Sequence, residues 1–447
     1  MQSEKKWKKN TIYILILLLL NPVVFLMHNR YGFIFPDSIT YMMMGKDLLA
    51  DGMLYLQHWG HVDGGVVLPL LYPFFIGIGR VFLDDGFIVA ELVSSVCIIL
   101  SSIPLFFYIS RLTNREMALA TVLLIQLNYY YLYFGTLALT EATFIFALCV
   151  GLWVAQRSFY ATKLEKLTAF SLGIISALVF FSRQIGLIFF IVVISIWIFR
   201  SITERNQQRK KSLGTVLYIT LGFSLLIVPY GMALYSQTGQ SILTQHFRMG
   251  DYVVTQAQAT QVIQQQGDLD LLNKLTPSST GKETYEEIYI QRRVMRELLP
   301  DSSEMYSHVA KDSQEGRSIA ESVWDKFRNK PSLVTRNLTK NFSYLKEPIG
   351  NILPYLFLVT FFSAFLLKIE NKNTYARRLL PTLIVIYLIV LSFFSGVVDR
   401  YVQVIFGLVL VHIMVEVYLI VDRFLLVNVS NKQRMLGTLF LFSFEAS

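Results

Sequence analysis

Apolar residues in this chain gather into long unbroken runs, and short connections rich in lysine and arginine separate them. Runs of this kind predict helices that cross a bilayer, because about 20 apolar residues rising 1.5 Å each span the hydrocarbon core. The pattern predicts ten crossings, over 11–28, 86–110, 117–135, 138–156, 167–182, 185–200, 213–235, 351–367, 379–396 and 402–421. The run 66–82, which carries Pro69 and Pro73, would make an eleventh if it crossed.

Charge decides how that run is read. If 66–82 stays on one side, the connections holding Arg111 and Arg115, Arg157 with Lys163 and Lys166, Arg200 to Lys211, Lys368 to Arg378 and Arg423 to Arg434 all join the N-terminus inside, as the positive-inside bias requires. A crossing there would put every one of them outside. The run is therefore read as an interfacial or re-entrant element, with both termini cytoplasmic. The first run follows Lys5, Lys6, Lys8 and Lys9 with no small-residue cleavage site after it, so it reads as an uncleaved helix.

Hydrophobic residues make up 54% of the 447 and charged ones 16%, against about 25% charged in a soluble domain, so the fold class is an all-α polytopic membrane protein. The net charge of +9 is explained by the basic connections and does not call for nucleic acid. Cys97 and Cys149 both lie in apolar runs and read as buried thiols rather than a disulfide. Three regions follow: 1–235, an N-terminal membrane region whose first outer loop is 28–86; 236–350, a large outer segment that should contain helices, for example over 285–299 and 319–328; and 351–447, the last spans and a tail. Asn337 and Asn341 match the glycan-acceptor pattern, which recurs easily by chance.

The outer side collects the chemistry. Asp37, in Phe35-Pro36-Asp37-Ser38, opens an amphipathic stretch in the first outer loop; it is either a reactive carboxylate or a plain helix cap. Arg183 and Arg400 stand at outer ends of spans, against the basic bias. They either bind an anionic phosphate or respectively snorkel and pair with Asp399. Glu141 starts the fourth span beside Thr140, as a helix-dipole partner or as part of an outer cavity. His58 and His61 lack a third and fourth metal ligand and read as phosphate or acceptor contacts. Tyr41, Tyr72 and Tyr401, like Trp59, could stack on substrate or simply belong to an interfacial aromatic belt.

Pro36-Asp37-Ser38-x-x-Tyr41 after the first helix, Leu68-Pro69-Leu70-Leu71-Tyr72-Pro73, Thr140-Glu141, Arg183 with Gly186, and Asp399-Arg400-Tyr401 before the last span occur in that order. Together they resemble the GT-C superfamily of membrane glycosyltransferases, in the branch of protein O-mannosyltransferases and the lipid A aminoarabinose transferase. The resemblance implies a polyprenyl-phosphate-linked sugar donor, a hydroxyl acceptor on protein, lipid or glycan, and an inverting transfer on the extracytoplasmic face of a bacterial plasma membrane. By position it implies Asp37 as catalytic base and Arg183 and Arg400 as holders of the lipid phosphate. Relatives often carry Lys-Pro-Pro or His-Pro-Pro where this chain has Val67-Leu68-Pro69, so a basic ligand is lacking there, with His61 the nearest substitute in sequence.

The chemistry agrees with that implication. An acceptor hydroxyl attacking an anomeric carbon must give up its proton, and a carboxylate can take it. Fixed guanidiniums stabilise a departing phosphate, so no cofactor is indicated, although a divalent cation is compatible. The competing reading is a transporter or flippase, with Asp37, Glu141 and the arginines along a substrate or proton path. Against it, the ionisable residues gather at one face rather than the midplane. A polymerase or ligase of lipid-linked glycans could use the arginines without specially requiring Asp37.

Overall fold

The computed structural model describes residues 10–20, 36–52, 54, 69–83, 85–160, 165–204, 206–238, 335, 338–339, 341, 352–367, 374–392 and 399–424. A few side chains within these helices, those of Asp37, Arg400 and Tyr401 among them, fall outside the description. So do His58, His61, nearly all of the segment 239–351 with its expected helices, and the tail beyond 424.

Among the described residues all regular structure is helical. In chain order the helices are α1 (Asn10–Leu20), α2 (Pro36–Asp51), α3 (Leu71–Arg80), α4 (Gly86–Leu112), α5 (Arg115–Gln126), α6 (Tyr129–Thr136), α7 (Glu141–Tyr160) and α8 (Glu165–Ser182). A 3-10 turn (Gln184–Gly186) leads to α9 (Leu187–Thr203), α10 (Asn206–Thr238), α11 (Ile352–Leu366), α12 (Thr374–Ser392) and α13 (Asp399–Phe424). Among the described residues seven stretches are long and apolar enough to cross a membrane: Ile88–Leu112, Glu141–Tyr160, Glu165–Ser182, Gln184–Thr203, Gln208–Gln237, Thr374–Leu391 and Val402–Asp422. The described parts of the first and eighth expected spans, Asn10–Leu20 and Leu353–Leu366, are shorter apolar helices. Cys97 and Cys149 are free and buried, as their apolar surroundings suggested.

One expected span differs. The run 117–135 is not a single helix: α5 stops at Gln126, and α6 starts after Leu127 and Asn128. Hydropathy does not register this break, but Asn128 does, since asparagine favours helix starts over helix interiors. Its carbonyl accepts from Leu132 N, and Gln126 Nε2 donates to the Ile98 carbonyl of α4 at 3.4 Å. The run 66–82 yields a ten-residue helix, α3, about 15 Å long at the usual rise and therefore too short to cross.

The helices run back and forth between two ends. One end collects the C-termini of α4, α7, α9, α11 and α13 with the N-termini of α5, α8, α10 and α12. Asn114 Nδ2 donates to the Tyr418 hydroxyl at 3.1 Å, and Thr203 Oγ1 meets the Tyr375 hydroxyl at 3.3 Å. At this end Arg377 of α12 donates to Glu416 of α13 through Nε at 2.6 Å and again through Nη2. It also donates to the Leu367 and Ser363 carbonyls at 2.6 and 2.9 Å, while Arg378 takes those of Ala364 and Phe365. The two arginines thus satisfy the carbonyls of Ala364, Phe365 and Leu367 at the C-terminal end of α11, which left bare in lipid would cost several kcal/mol each, and add a second donor to Ser363, which already accepts from Leu367 N.

Candidate active site

The opposite end gathers α2, α3, the starts of α4, α7 and α13, and the end of α8. Pro36 stands at the start of α2, where its fixed φ and missing N–H cost nothing, and this puts Asp37 in the first helical turn. α2 lies against α3 with almost no space between backbones: a Cβ on Gly45 would come 2.7 Å from the Pro73 carbonyl oxygen, and one on Gly77 2.5 Å from that of Gly45. Glycine is what allows this approach. The far end of α2 is tied down as well. Gln237, in the last turn of α10, accepts from Leu54 N at 3.0 Å and donates to the Gly52 carbonyl at 3.1 Å, where Gly52 takes the left-handed φ of 67°.

Four of the residues singled out from sequence meet here. Tyr41, four residues after Asp37 and hence one turn along the same helix, packs edge to face on Tyr72 with centroids 5.5 Å apart. Tyr72 is fully buried, donates to the Ala90 carbonyl at 2.9 Å and meets Ser94 Oγ at 3.1 Å. Burial first of all, with smaller contributions from Cys97, Tyr41 and Glu141, pushes its phenol well above the usual tyrosine range against the opposing Ser94 hydrogen bond, so it stays neutral. Glu141, 1% exposed at the head of α7, lies 3.0 Å from Nη1 of Arg183. The contact is one of charge rather than an aligned hydrogen bond, since the Nη1 hydrogens do not point squarely at the oxygen.

Arg183 stands between α8 and α9 in extended conformation, φ −157° and ψ 136°, where its carbonyl accepts from Gly186 N at 2.7 Å. The chain thus leaves α8, presents one arginine, and turns at once into α9. Asp399, Arg400 and Tyr401 form the first turn of α13. Tyr418, near the other end of that helix, touches Asn114, and Arg400 lies 18 residues earlier, roughly 27 Å along the axis, which brings its backbone to the Glu141 end. Asp37, Arg400 and Tyr401 are placed by their backbones alone, and His58 and His61 lie outside the described residues. Among the described residues no group of three or more His, Cys, Asp or Glu could hold a metal ion.

Sequence reasoning missed what frames this site. The Gly45–Gly77 crossing, the Gln237 clamp and the hydroxyl pair Tyr72–Ser94 join residues 22 to 185 positions apart, and no local pattern announces such pairings. Asn341, read as a possible glycan acceptor, is buried and donates its amide to the Leu388 carbonyl at 3.3 Å, a position with no room for a glycan.

The result is a polytopic helical bundle with short helices and a buried carboxylate–guanidinium pair at one end, and known proteins share parts of it. Residues 67–229, which include Tyr72, Glu141 and Arg183, match the dolichyl-phosphate-mannose-protein mannosyltransferase family. The archaeal oligosaccharyltransferase AglB from Archaeoglobus fulgidus, solved with an inhibitory peptide and a dolichol-phosphate, superposes on 97% of this chain and 52% of its own with TM-score 0.58 at 11% identity. The same enzyme solved with zinc and sulfate superposes on 92% of this chain and 49% of its own with TM-score 0.54 at 10% identity. The chain therefore shares the helical membrane fold of that enzyme, and just over a third of its length matches the mannosyltransferase family. It spans about half the length of the oligosaccharyltransferase whose fold it shares. No curated protein sequence matches it.

Proposed function

We propose that this protein is an integral membrane glycosyltransferase that moves a sugar from a polyprenyl-phosphate donor to a hydroxyl acceptor with inversion at the anomeric carbon. The observation that carries the proposal is convergence. α2, with Asp37 in its first turn, is locked onto α3, and Tyr41, Tyr72, Glu141 and Arg183 meet at the end of the bundle where α13 begins with Arg400. The family match and the shared fold support the same reading.

In this reading the Asp37 carboxylate takes the proton of the acceptor hydroxyl as its oxygen attacks the anomeric carbon. The bond from that carbon to the phosphate oxygen breaks, and the polyprenyl phosphate leaves with the electron pair. Arg183 and Arg400 hold the departing phosphate. Glu141, almost wholly enclosed, orients Arg183 rather than touching substrate. Tyr41 and Tyr72 brace α2 at the height of the reacting groups. His58, His61 and Tyr401 would line the donor or acceptor path.

The site would face away from the cytoplasm. Arg111, Arg115, Arg157, Lys166, Arg200, Arg209, Lys210, Lys211, Arg377 and Arg378 all stand at the end of the bundle away from Glu141. That is the asymmetry expected of a cytoplasmic surface.

The test is transfer or hydrolysis of a panel of polyprenyl-phosphate sugars by purified protein in lipid, comparing wild type, Asp37→Asn and Arg183→Gln, with donor binding measured separately. Asp37→Asn should bind donor and lose about 100-fold or more in turnover. Arg183→Gln should bind donor more weakly. Wild-type turnover that survives Asp37→Asn removes the base assignment, and no turnover on any donor removes the transferase.

A further inference from the structure

The connection from α6 to α7 is buried. Residues 137–140, which lead from Thr136 into Glu141, are none of them more than 2% exposed. Connections usually run over the surface, because a buried carbonyl or amide must find its partner inside the protein. Within this one, Leu139 N donates to the Leu137 carbonyl at 2.8 Å, and the Thr140 carbonyl accepts from Phe144 N at 2.9 Å as α7 begins. Two neighbouring buried serines of α4 meet carbonyls near its two ends. Ser95 Oγ donates to Gly135, in the last turn of α6, at 3.1 Å, sharing its hydrogen with the Glu91 carbonyl of its own helix at 2.8 Å. Ser94 Oγ approaches the Leu139 carbonyl at 3.5 Å.

Ser94 has a second neighbour. The Tyr72 hydroxyl of α3 lies 3.1 Å from its Oγ and gives its own hydrogen to the Ala90 carbonyl at 2.9 Å, so the hydrogen between the two hydroxyls is that of Ser94. One serine hydrogen thus stands between two acceptors, Tyr72 Oη and the Leu139 carbonyl. The first belongs to the α2–α3 pair, through the contact of Tyr72 with Tyr41 and the Gly45–Gly77 crossing. The second lies two residues before Glu141, which stands 3.0 Å from Arg183. The helix that carries Asp37 and the carboxylate that orients Arg183 are therefore both referred to one side chain of α4.

We propose that Ser94 is a positioning residue that fixes the α2–α3 pair against the Glu141–Arg183 pair, so that proton acceptor and phosphate holder keep one separation during transfer. The role rests on the transferase reading above. Fully enclosed, Ser94 acts through Glu141 and Arg183 on one side and through Tyr72 on the other. Ser95 supports it by holding the start of the same connection. Transfer needs the base at the attacking oxygen and the guanidinium at the departing phosphate at the same moment, and a small displacement of either costs rate before it costs affinity.

The experiment compares wild type, Ser94→Ala, Ser102→Ala, Arg183→Gln and Ser94→Ala/Arg183→Gln as full chains in lipid, for kcat and KM on the panel of polyprenyl-phosphate sugars and for hydrogen exchange. Ser102, about two turns further along α4, is buried and donates to the Ile99 carbonyl of its own helix at 2.6 Å, so it controls for the loss of a buried hydroxyl. Ser94→Ala should lower kcat about tenfold with donor KM within about threefold of wild type, and amides over 139–143 should exchange faster. Ser102→Ala should change neither. In the Arg183→Gln background, Ser94→Ala should cost less than about twofold, because the group it positions is gone. An undiminished loss in that background, an equal loss in Ser102→Ala, or unchanged kcat in Ser94→Ala overturns the role and leaves the transferase standing. Absence of turnover by wild type removes the transferase reading itself, and this role with it.

Discussion

Glu141 and Arg183 meet 3.0 Å apart across the gap between the head of α7 and the end of α8, with 2% and 11% of their side chains exposed. Removing one partner leaves the other charge enclosed, which typically costs about 3–5 kcal/mol, whereas replacing both with apolar groups costs much less. Arg183→Met should therefore destabilise the bundle far more than Glu141→Leu/Arg183→Met. Thermal unfolding in detergent reads this difference, and donor binding should fail in both variants if Arg183 holds the phosphate. Recovery of stability without recovery of binding separates the structural role of the pair from its proposed chemical one.

The Gly45–Gly77 crossing holds the helix that carries Asp37. Either glycine changed to valine forces the two backbones apart and should cost about 1–3 kcal/mol. Because α2 and α3 sit beside the spanning helices, turnover should fall much more than the unfolding temperature of the bundle. A variant that unfolds the bundle and lowers turnover in parallel would show that α3 supports the whole structure.

Gln237→Ala removes both hydrogen bonds between the last turn of α10 and the loop after α2, about 1 kcal/mol each. Faster hydrogen exchange at the C-terminal end of α2 is expected, with α4 and α7 unchanged. Gln237→Glu keeps the acceptor and loses the donor, so it should lie between the two.

At the other end, Arg377→Met strands Glu416, which is wholly buried, and takes the arginine donor from the Leu367 carbonyl, an expected loss of about 3–5 kcal/mol. Arg377→Met/Glu416→Leu should recover part of it but not all, since the Leu367 carbonyl still lacks the arginine donor. The unfolding temperatures of the three proteins decide the point.

Tyr72 offers a prediction in pH. Its phenol is held well above the usual value of about 10 by burial, so the unfolded chain ionises first as pH rises. The folded state should keep this contribution below about pH 10 and lose it progressively above. Difference absorbance should show fewer tyrosinates in folded protein at pH 11 than in denatured protein, and Tyr72→Phe should narrow that gap by one.

The lengths of the apolar runs and the placement of Lys and Arg between them carry the helical membrane class, the approximate spans and the clustering of basic residues at one end. These are local properties: a bilayer-length helix needs only its own residues to be apolar, and a positive connection needs only its own charges. Asp37, Glu141, Arg183 and Arg400 were visible as charged residues out of place in such a pattern. The order of short motifs was enough to suggest the superfamily. The break at Asn128 was also local, but hydropathy hid it because the residues on both sides are apolar. Only the tertiary structure paired Glu141 with Arg183, closed Gly45 on Gly77, joined Gln237 to Gly52 and set Arg377 against Glu416. Each of these contacts depends on which helix face meets which, and helices that are apolar all round carry no stripe that says which way they turn.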